Sequence, residues 1–352
     1  MFKNYANLAK VSLKVTQNTD FCAYVPKNIY FWTMNSIKNI IIVMSVVALA
    51  LGLEGCESRQ HGMPVHVERL DLELRKGGVP VNEDMRAAAV SLFAISGYGA
   101  LTDSSLAVYN SAPSLRYHRE AVDSAFADMK DVEACMGEAF GIMSHKYPDI
   151  HIPKLYAVIS PFNQSVITVD SVMFVGLNHY LGVEYRAYEY FPDYIRLNKR
   201  RERLVPDVVE ALVRQYYPYK PMSDYPTALS RLLYEGAVVE VVMKVTGISE
   251  VEALGIGHDS YMWHVGNEKQ IWNALVGRKL IYSTDESVGE SLVRPSSVTS
   301  LLHPDAPGRA GRFIGHRILE EYLKHNDVSP DCKILQPDFY EGEQTLSLSG
   351  YH

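Results

Sequence analysis

The side chains that most often do chemistry are numerous in this chain, but they do not have catalytic spacing. There are 12 His, and a helical zinc site would place two of them three or four residues apart on one face. No two His have that spacing: His258 and His264 are six residues apart, and nothing near them resembles a third ligand. The pattern favours structural or surface histidines. It predicts no catalytic residue, no metal and no cofactor.

Nucleophile and phosphate-binding motifs are absent from the sequence as well. It contains no Gly-x-Ser-x-Gly elbow, no Walker loop and no Gly-x-Gly-x-x-Gly after a strand. Two tyrosine-rich segments, Tyr185 to Tyr194 and Tyr216 to Tyr219, could form a recognition surface, because tyrosine combines an apolar ring with a polar hydroxyl. Packing of the same rings in the core explains them at least as well.

The amino-terminal part has the composition of a targeting leader. Residues 40–53 are almost all apolar, too short a run to cross a bilayer, which needs about 20 residues, but typical of a signal-peptide core. Lys38 supplies the preceding positive charge, and Met34 is a natural start. We therefore expect a lipoprotein signal peptide over 34–55. Residues 1–33 are then an upstream extension, the alternative being a long n-region.

The leader ends in a segment that resembles the bacterial lipobox, in which a small residue precedes a lipidated cysteine. Leu53, Gly55 and Cys56 fit this pattern, whereas Glu54 departs from it. We expect Cys56 to be lipidated and the mature chain to be held to a bacterial membrane by its N-terminal lipid, with inner and outer membrane left open. The alternative is a plain signal peptide followed by an unrelated cysteine.

Charge and cysteine content exclude several classes of protein. The 352-residue chain carries a net charge of −7. Residues 1–55 hold five of its Lys and two of its acidic residues, so residues 56–352 carry −10. Such an acidic body argues against nucleic-acid partners. Four scattered cysteines exclude a disulfide-knotted domain or a zinc ribbon, and pairing of Cys135 with Cys332 stays open.

The elements that must position any site follow from hydrophobic periodicity. Residues 56–64 indicate a polar tether, and an alternating pattern predicts a strand over 65–74. Further strands are predicted over 154–159 and 165–177, the latter broken at Asp170-Ser171 as a hairpin. Helices are predicted over 84–95, 116–144, 201–216, 225–246, 249–256, 260–276 and 310–325, with Asp224 as an N-cap. This order predicts a mostly helical, single α+β domain over 65–352 with a small sheet.

Several segments together resemble the GldB-like gliding motility lipoproteins of the Bacteroidetes. The blocks that carry the resemblance are Glu68–Leu72, Phe174–Gly182, Phe191–Tyr194, Leu232–Gly236, Trp263 with Ile271-Trp272, Leu280–Tyr282 and Pro307–Gly315. Asn178 stands where the family usually has Asp. The resemblance covers nearly all of the mature chain and implies a cell-envelope protein that works through envelope protein partners near motility and secretion machinery.

The same family is distantly similar to zinc peptidases with a His-Glu-x-x-His helix and a later Glu-Gly helix. On that mapping Val209 and Val213 stand where the two His would be, Glu210 matches the general base and Glu235 the third ligand. The resemblance therefore implies a degenerate zincin-like scaffold that is not an enzyme, since catalytic zinc normally takes three protein ligands. The alternatives are a zincin-like peptidase or other hydrolase, and a lipoprotein that binds peptides or glycans.

Overall fold

The computed structural model describes residues 62–160, 163–169, 171–341 and 343–352. The expected leader, Cys56 and the first part of the tether lie outside this range. The described residues belong to one compact unit, an α+β domain with most of its helix in the second half, as the sequence predicts. No helix among them is both long and apolar enough to cross a bilayer.

A four-stranded mixed sheet lies in the first half of the domain. Its strands are β1 (Val67–Arg69), β2 (Lys154–Val158), β3 (Val166–Val169) and β4 (Val172–Gly176). Their order is β1-β2-β4-β3; β1, β2 and β4 run parallel, and β3 pairs antiparallel with β4. The predicted hairpin is thus confirmed: Ser171 lies between β3 and β4, and Asp170 is outside the described residues. Strand β3 lies at the edge of the sheet.

Seven helices precede residue 200 in the part of the chain that the structure describes. They are α1 (Leu70–Arg75), α2 (Glu83–Ile95), α3 (Asp103–Ser111), α4 (Pro113–Arg116), α5 (Arg119–Ala125), α6 (Lys130–Lys146) and α7 (Asp193–Arg196). Gly97 and Gly99, which follow α2, both have positive φ, a conformation that glycine adopts without steric cost. In the predicted tether, the Met63 backbone N–H donates to the Gly137 carbonyl of α6 at 3.1 Å.

The second half of the domain is helical. Its helices are α8 (Leu204–Tyr216), α9 (Ala228–Thr246), α10 (Glu250–Leu254), α11 (His258–Gly277), α12 (Glu286–Val293), α13 (Ala310–His325), α14 (Pro337–Tyr340) and α15 (Glu343–Ser349). Short 3-10 turns cover Leu177–His179, Arg186–Tyr188, Arg201–Arg203, Leu280–Tyr282 and Asp331–Leu335. Helix α9 is apolar on nearly all sides and buried along most of its length, so it forms the centre of the core.

Three sequence-based boundaries are wrong. The strand predicted over 65–74 ends at Arg69 and continues as α1, because Leu70 and Leu74 are both buried at helical spacing and Asp71 pairs with Arg75 one turn later. The helix predicted over 116–144 is two helices, α5 and α6, separated at Phe126–Met129.

The third concerns Asp224, which is not an N-cap. Helix α9 begins at Ala228 after Thr227. Pro226 disfavours a helical conformation of the residue before it, so the helix cannot begin as early as predicted. The pairing of Cys135 and Cys332, left open above, does not occur, because both thiols are free: Cys135 is exposed and Cys332 buried.

Two glycines allow α9 and α13 to cross with their backbones in contact. A Cβ at Gly315 would overlap the carbonyl oxygen of Leu232, and one at Gly236 would overlap the Gly315 backbone. Only glycine allows so close an approach of two helix backbones. The crossing brings Glu235, which precedes Gly236, beside Arg312, which lies one turn before Gly315.

We expect Gly315→Ala to lower the free energy of unfolding by about 3 kcal/mol or more, because the added methyl group must push α13 away from α9. Alanine has a higher helix propensity than glycine, so helix propensity alone would make the variant more stable. A loss of stability would therefore come from the steric clash. Urea unfolding followed by circular dichroism measures the change.

Gly266→Ala is the matched control for this substitution. Gly266 lies in the exposed middle of α11 with open space around the added Cβ, so we expect a gain of about 0.5–1 kcal/mol. A stable Gly315→Ala variant would contradict the close helix crossing.

Candidate functional site

The four degenerate zincin-like positions lie on two neighbouring helices of the core. Helix α8 carries Val209, Glu210 and Val213, and α9 carries Glu235. Val209 and Val213 are fully buried and belong to the apolar core. Glu210 and Glu235 lie close together, and both contact arginine side chains.

Arg214 joins the two carboxylates. Its Nε and Nη2 atoms donate to Glu210 Oε1 at 3.0 and 2.8 Å, one helical turn back on α8. Its Nη1 and Nη2 atoms donate to Glu235 Oε1 and Oε2 at 3.0 and 2.6 Å. The second pair is bidentate, which is the strongest arrangement between arginine and a carboxylate.

Arg312 of α13 adds a third helix to this network. Its Nη2 lies 3.0 Å from Glu210 Oε2 and its Nε 3.8 Å from Glu235 Oε2. Neither contact has the direction of a hydrogen bond, so Arg312 acts through its charge. The side chains of Glu235 and Arg312 are each only 4% exposed, which makes their Coulomb attraction stronger than on the surface.

Arg231 completes the set at its outer edge. It lies 3.4 Å from Glu235 one turn earlier on α9, and it also reaches the exposed Glu290. We call Glu210, Arg214, Arg231, Glu235 and Arg312 the arginine–glutamate cluster. Sequence reasoning found the two glutamates but missed the arginines as site residues; the four-residue spacings 210–214 and 231–235 were the available signal.

The cluster keeps its carboxylates ionised. Burial raises the pKa of Glu210, but the charges of Arg312 and Arg214 outweigh burial and hold it well below its usual range. Burial also raises the pKa of Glu235, and Arg214 again lowers it overall. A carboxylate with so low a pKa takes up a proton poorly, so Glu210 is badly suited to the general-base role that the mapping gives it.

These residues do not fit a zinc ion. The two valines offer no donor atom, and the oxygens of Glu235 face two guanidinium groups that would repel a divalent cation. No group of three or more His, Cys, Asp or Glu suited to a metal occurs in the part of the chain that the structure describes.

A second group of buried charges lies further along α9 and α13 and includes one residue of α10. His316 of α13 contacts Glu250 through Nδ1 at 2.7 Å and Glu240 through Nε2 at 3.1 Å. Burial lowers the pKa of His316, but the hydrogen bonds to the two carboxylates raise it to about 9 overall, so the ring is charged at neutral pH. It joins α13 to both α9 and α10.

The tyrosine segments are mostly structural. The Tyr216 hydroxyl donates to the His151 carbonyl, and the Tyr217 hydroxyl donates to Asp149. Tyr188 is buried and donates to the Asn178 carbonyl, whereas Tyr190 is 90% exposed. These contacts give Tyr188, Tyr216 and Tyr217 a structural role.

Asn178, which departs from the family pattern, has a local explanation. Its amide donates to the Ser160 carbonyl at 3.2 Å and accepts from the Ser160 N–H at 2.7 Å. An ionised aspartate could make only the second bond. The side chain thus joins the segment after β2 to the segment after β4.

The fold and the site define a single-domain α+β protein in which buried arginine–carboxylate pairs join three core helices. The family model for the gliding motility protein GldB matches residues 59–352. The chain therefore belongs to the GldB family, as the sequence blocks predict. No curated protein and no solved structure was found to match it.

We expect Glu235→Gln to destabilise the protein by about 3 kcal/mol at pH 7, because it leaves buried arginine charge uncompensated. The folded-state pKa of Glu235 lies below its ordinary value, so its contribution is fully present above about pH 4.3 and is lost as the pH falls through the folded-state pKa. Chemical unfolding at pH 7 and at pH 3 should show a smaller difference from wild type at the lower pH.

Glu290→Gln serves as the control for this measurement. Glu290 contacts the same Arg231 but is 55% exposed, and we expect a change below about 0.5 kcal/mol. Equal effects of the two substitutions would refute the stabilising role assigned to the cluster.

Proposed function

We propose that this GldB-family protein is a lipid-anchored component of the cell envelope that works through protein contacts near motility and secretion machinery, without catalysis. The observation that carries the proposal is the position of the family match: it begins at residue 59, directly after the leader and Cys56. A lipid on Cys56 would hold the acidic domain at a membrane that its own charge does not attract.

The state of the arginine–glutamate cluster supports a role without catalysis. Its carboxylates are bound by arginines, and the valines at positions 209 and 213 have no side-chain atom that could bind a metal. The cluster instead joins α8, α9 and α13, which suits a rigid scaffold that presents surfaces to partners.

Lipidation is tested by Cys56→Ala in the full chain. We expect the variant to lose labelling by a radiolabelled or alkyne-tagged fatty acid and to leave the membrane fraction, because the domain has no other anchor in this proposal. Cys135→Ala is the control, since Cys135 is an exposed free thiol within the domain, and should change neither. Unchanged membrane retention of Cys56→Ala would overturn the anchor.

Partner binding is tested by affinity purification of the tagged full chain from detergent-solubilised envelopes. We expect the same envelope proteins in repeated preparations, in amounts comparable to the bait. Repeated recovery of the protein alone would count against the contact role. Metal analysis of the same material addresses the hydrolase alternative, because stoichiometric zinc would contradict a non-catalytic role.

A further inference from the structure

Within the described residues, one edge of strand β3 pairs with no other strand. Among the described residues only β4 pairs with it, and its four residues are all half-buried. The Gly176 N–H donates to the Ser165 carbonyl at 2.8 Å. In this register the backbone groups of residues 165, 167 and 169 face β4, so those of Val166 and Thr168 face outward. An edge of this kind accepts a further strand.

A cavity of about 430 Å³ lies at the amino end of β3. Residues 163–166 form one wall, and the others come from the segment after β4, from residues 194–203, from α8 and from Arg309. The charged side chains that line it are Lys199, Arg203, Arg214, Arg309, Asp207 and Glu210. Four basic groups against two acidic ones give a positive lining in a chain whose net charge is −7.

Two of these basic groups have no carboxylate partner within the described residues. Lys199 Nζ lies 2.7 Å from His179 Nδ1 and faces the rings of Tyr188 and Phe191 at 5.8 and 5.3 Å. Arg309 donates to the Leu254 carbonyl and to no carboxylate. Burial lowers the pKa of Lys199 to about 8, and the charge of Asp207 offsets only part of that shift.

The other two basic groups are already neutralised. Arg203 pairs with Asp207 at 2.7 Å, and Asp207 also accepts from the Tyr180 hydroxyl at 3.0 Å. Arg214 belongs to the arginine–glutamate cluster. One more donor is unused, since the buried Arg203 Nε has no hydrogen-bond partner in the described part of the chain. Lys199 and Arg309 are thus the two cations of the cavity lining that pair with no carboxylate among the described residues.

The direction of β3 decides what kind of anion fits. A chain that pairs antiparallel with β3 and ends where β3 begins brings its terminal carboxylate to the cavity that Lys199 and Arg309 line. A parallel chain would bring its positively charged amino terminus to the same place, which the cations disfavour. Arginine and lysine are suited to carboxylate capture.

We infer that the free edge of β3 and this cavity bind the carboxy-terminal segment of an extended polypeptide, whose terminal carboxylate pairs with Lys199 and Arg309. This inference rests on the proposed role in protein contacts. It adds that one partner is recognised by its free carboxy terminus. The binding itself is tested with the purified chain and synthetic peptides, so its failure is separate from failure of the membrane or affinity-purification experiments.

The experiment compares two pools of N-acetylated hexapeptides with randomised sequence, one as free acids and one as C-terminal amides. Each pool is passed over the immobilised full chain, and the retained peptide is measured by mass spectrometry. We expect at least tenfold more retention of the acids. Equal retention of the two pools, or no retention of the acids, would overturn the inference.

Variants assign the binding to the two cations. We expect Lys199→Met and Arg309→Met each to reduce retention of the acid pool about tenfold, while Lys199→Arg retains most of it. Lys130→Met is the control, since Lys130 is an exposed lysine of α6 outside the cavity, and should bind like wild type. Thermal unfolding of each variant excludes misfolding, and undiminished binding by both folded Met variants would refute the assignment.

A third pool tests the strand edge. Acid peptides N-methylated at alternate residues keep the carboxylate but lose the amide donors needed for β-pairing. We expect their retention to fall at least fivefold. Retention equal to that of the unmethylated acids would overturn the addition of a strand to β3.

Discussion

The backbone contact between α9 and α13 is the constraint on which the rest of the helical half depends. Gly236 and Gly315 allow two core helices to approach with no side chain between them. Two pairs of charged groups on the neighbouring turns are then held close together: Glu235 with Arg312, and Glu240 with His316. A wider crossing would leave these groups buried without counter-charges, which is costly in a core.

The arginine–glutamate cluster follows from that geometry. Removing charges from water costs several kcal/mol per ion, and close partners offset much of that cost. Glu210, Arg214, Glu235 and Arg312 balance one another's charge across three helices, so the pairing favours one arrangement of the helices over others of equal apolar burial. Membership of the GldB family and this cluster are consistent with a domain that holds a fixed shape.

The parts of the fold that sequence reasoning predicted are those with strong local signals. The hairpin of β3 and β4, helix α2 and the long helices α8, α9, α11 and α13 have clear periodicity or turn residues. The prediction failed over 65–74 and at Asp224. The alternating pattern of residues 65–74 fits a strand or a helix, and a polar residue such as Asp224 fits a helix cap or a loop. In both cases contacts between residues distant in sequence decide the conformation.

The sequence by itself determined the class of fold, the family, the leader pattern and the fact that positions 209 and 213 lack metal donors, because composition, periodicity and residue identity are local properties. Only the tertiary structure decided that Glu210 and Glu235 meet Arg214 and Arg312. It also decided that Lys199 and Arg309 line one cavity at the end of an edge strand. Apart from Glu210 and Arg214, which are one helical turn apart, the groups within each set come from separate segments of the chain, and their neighbours follow from how the helices and the sheet pack.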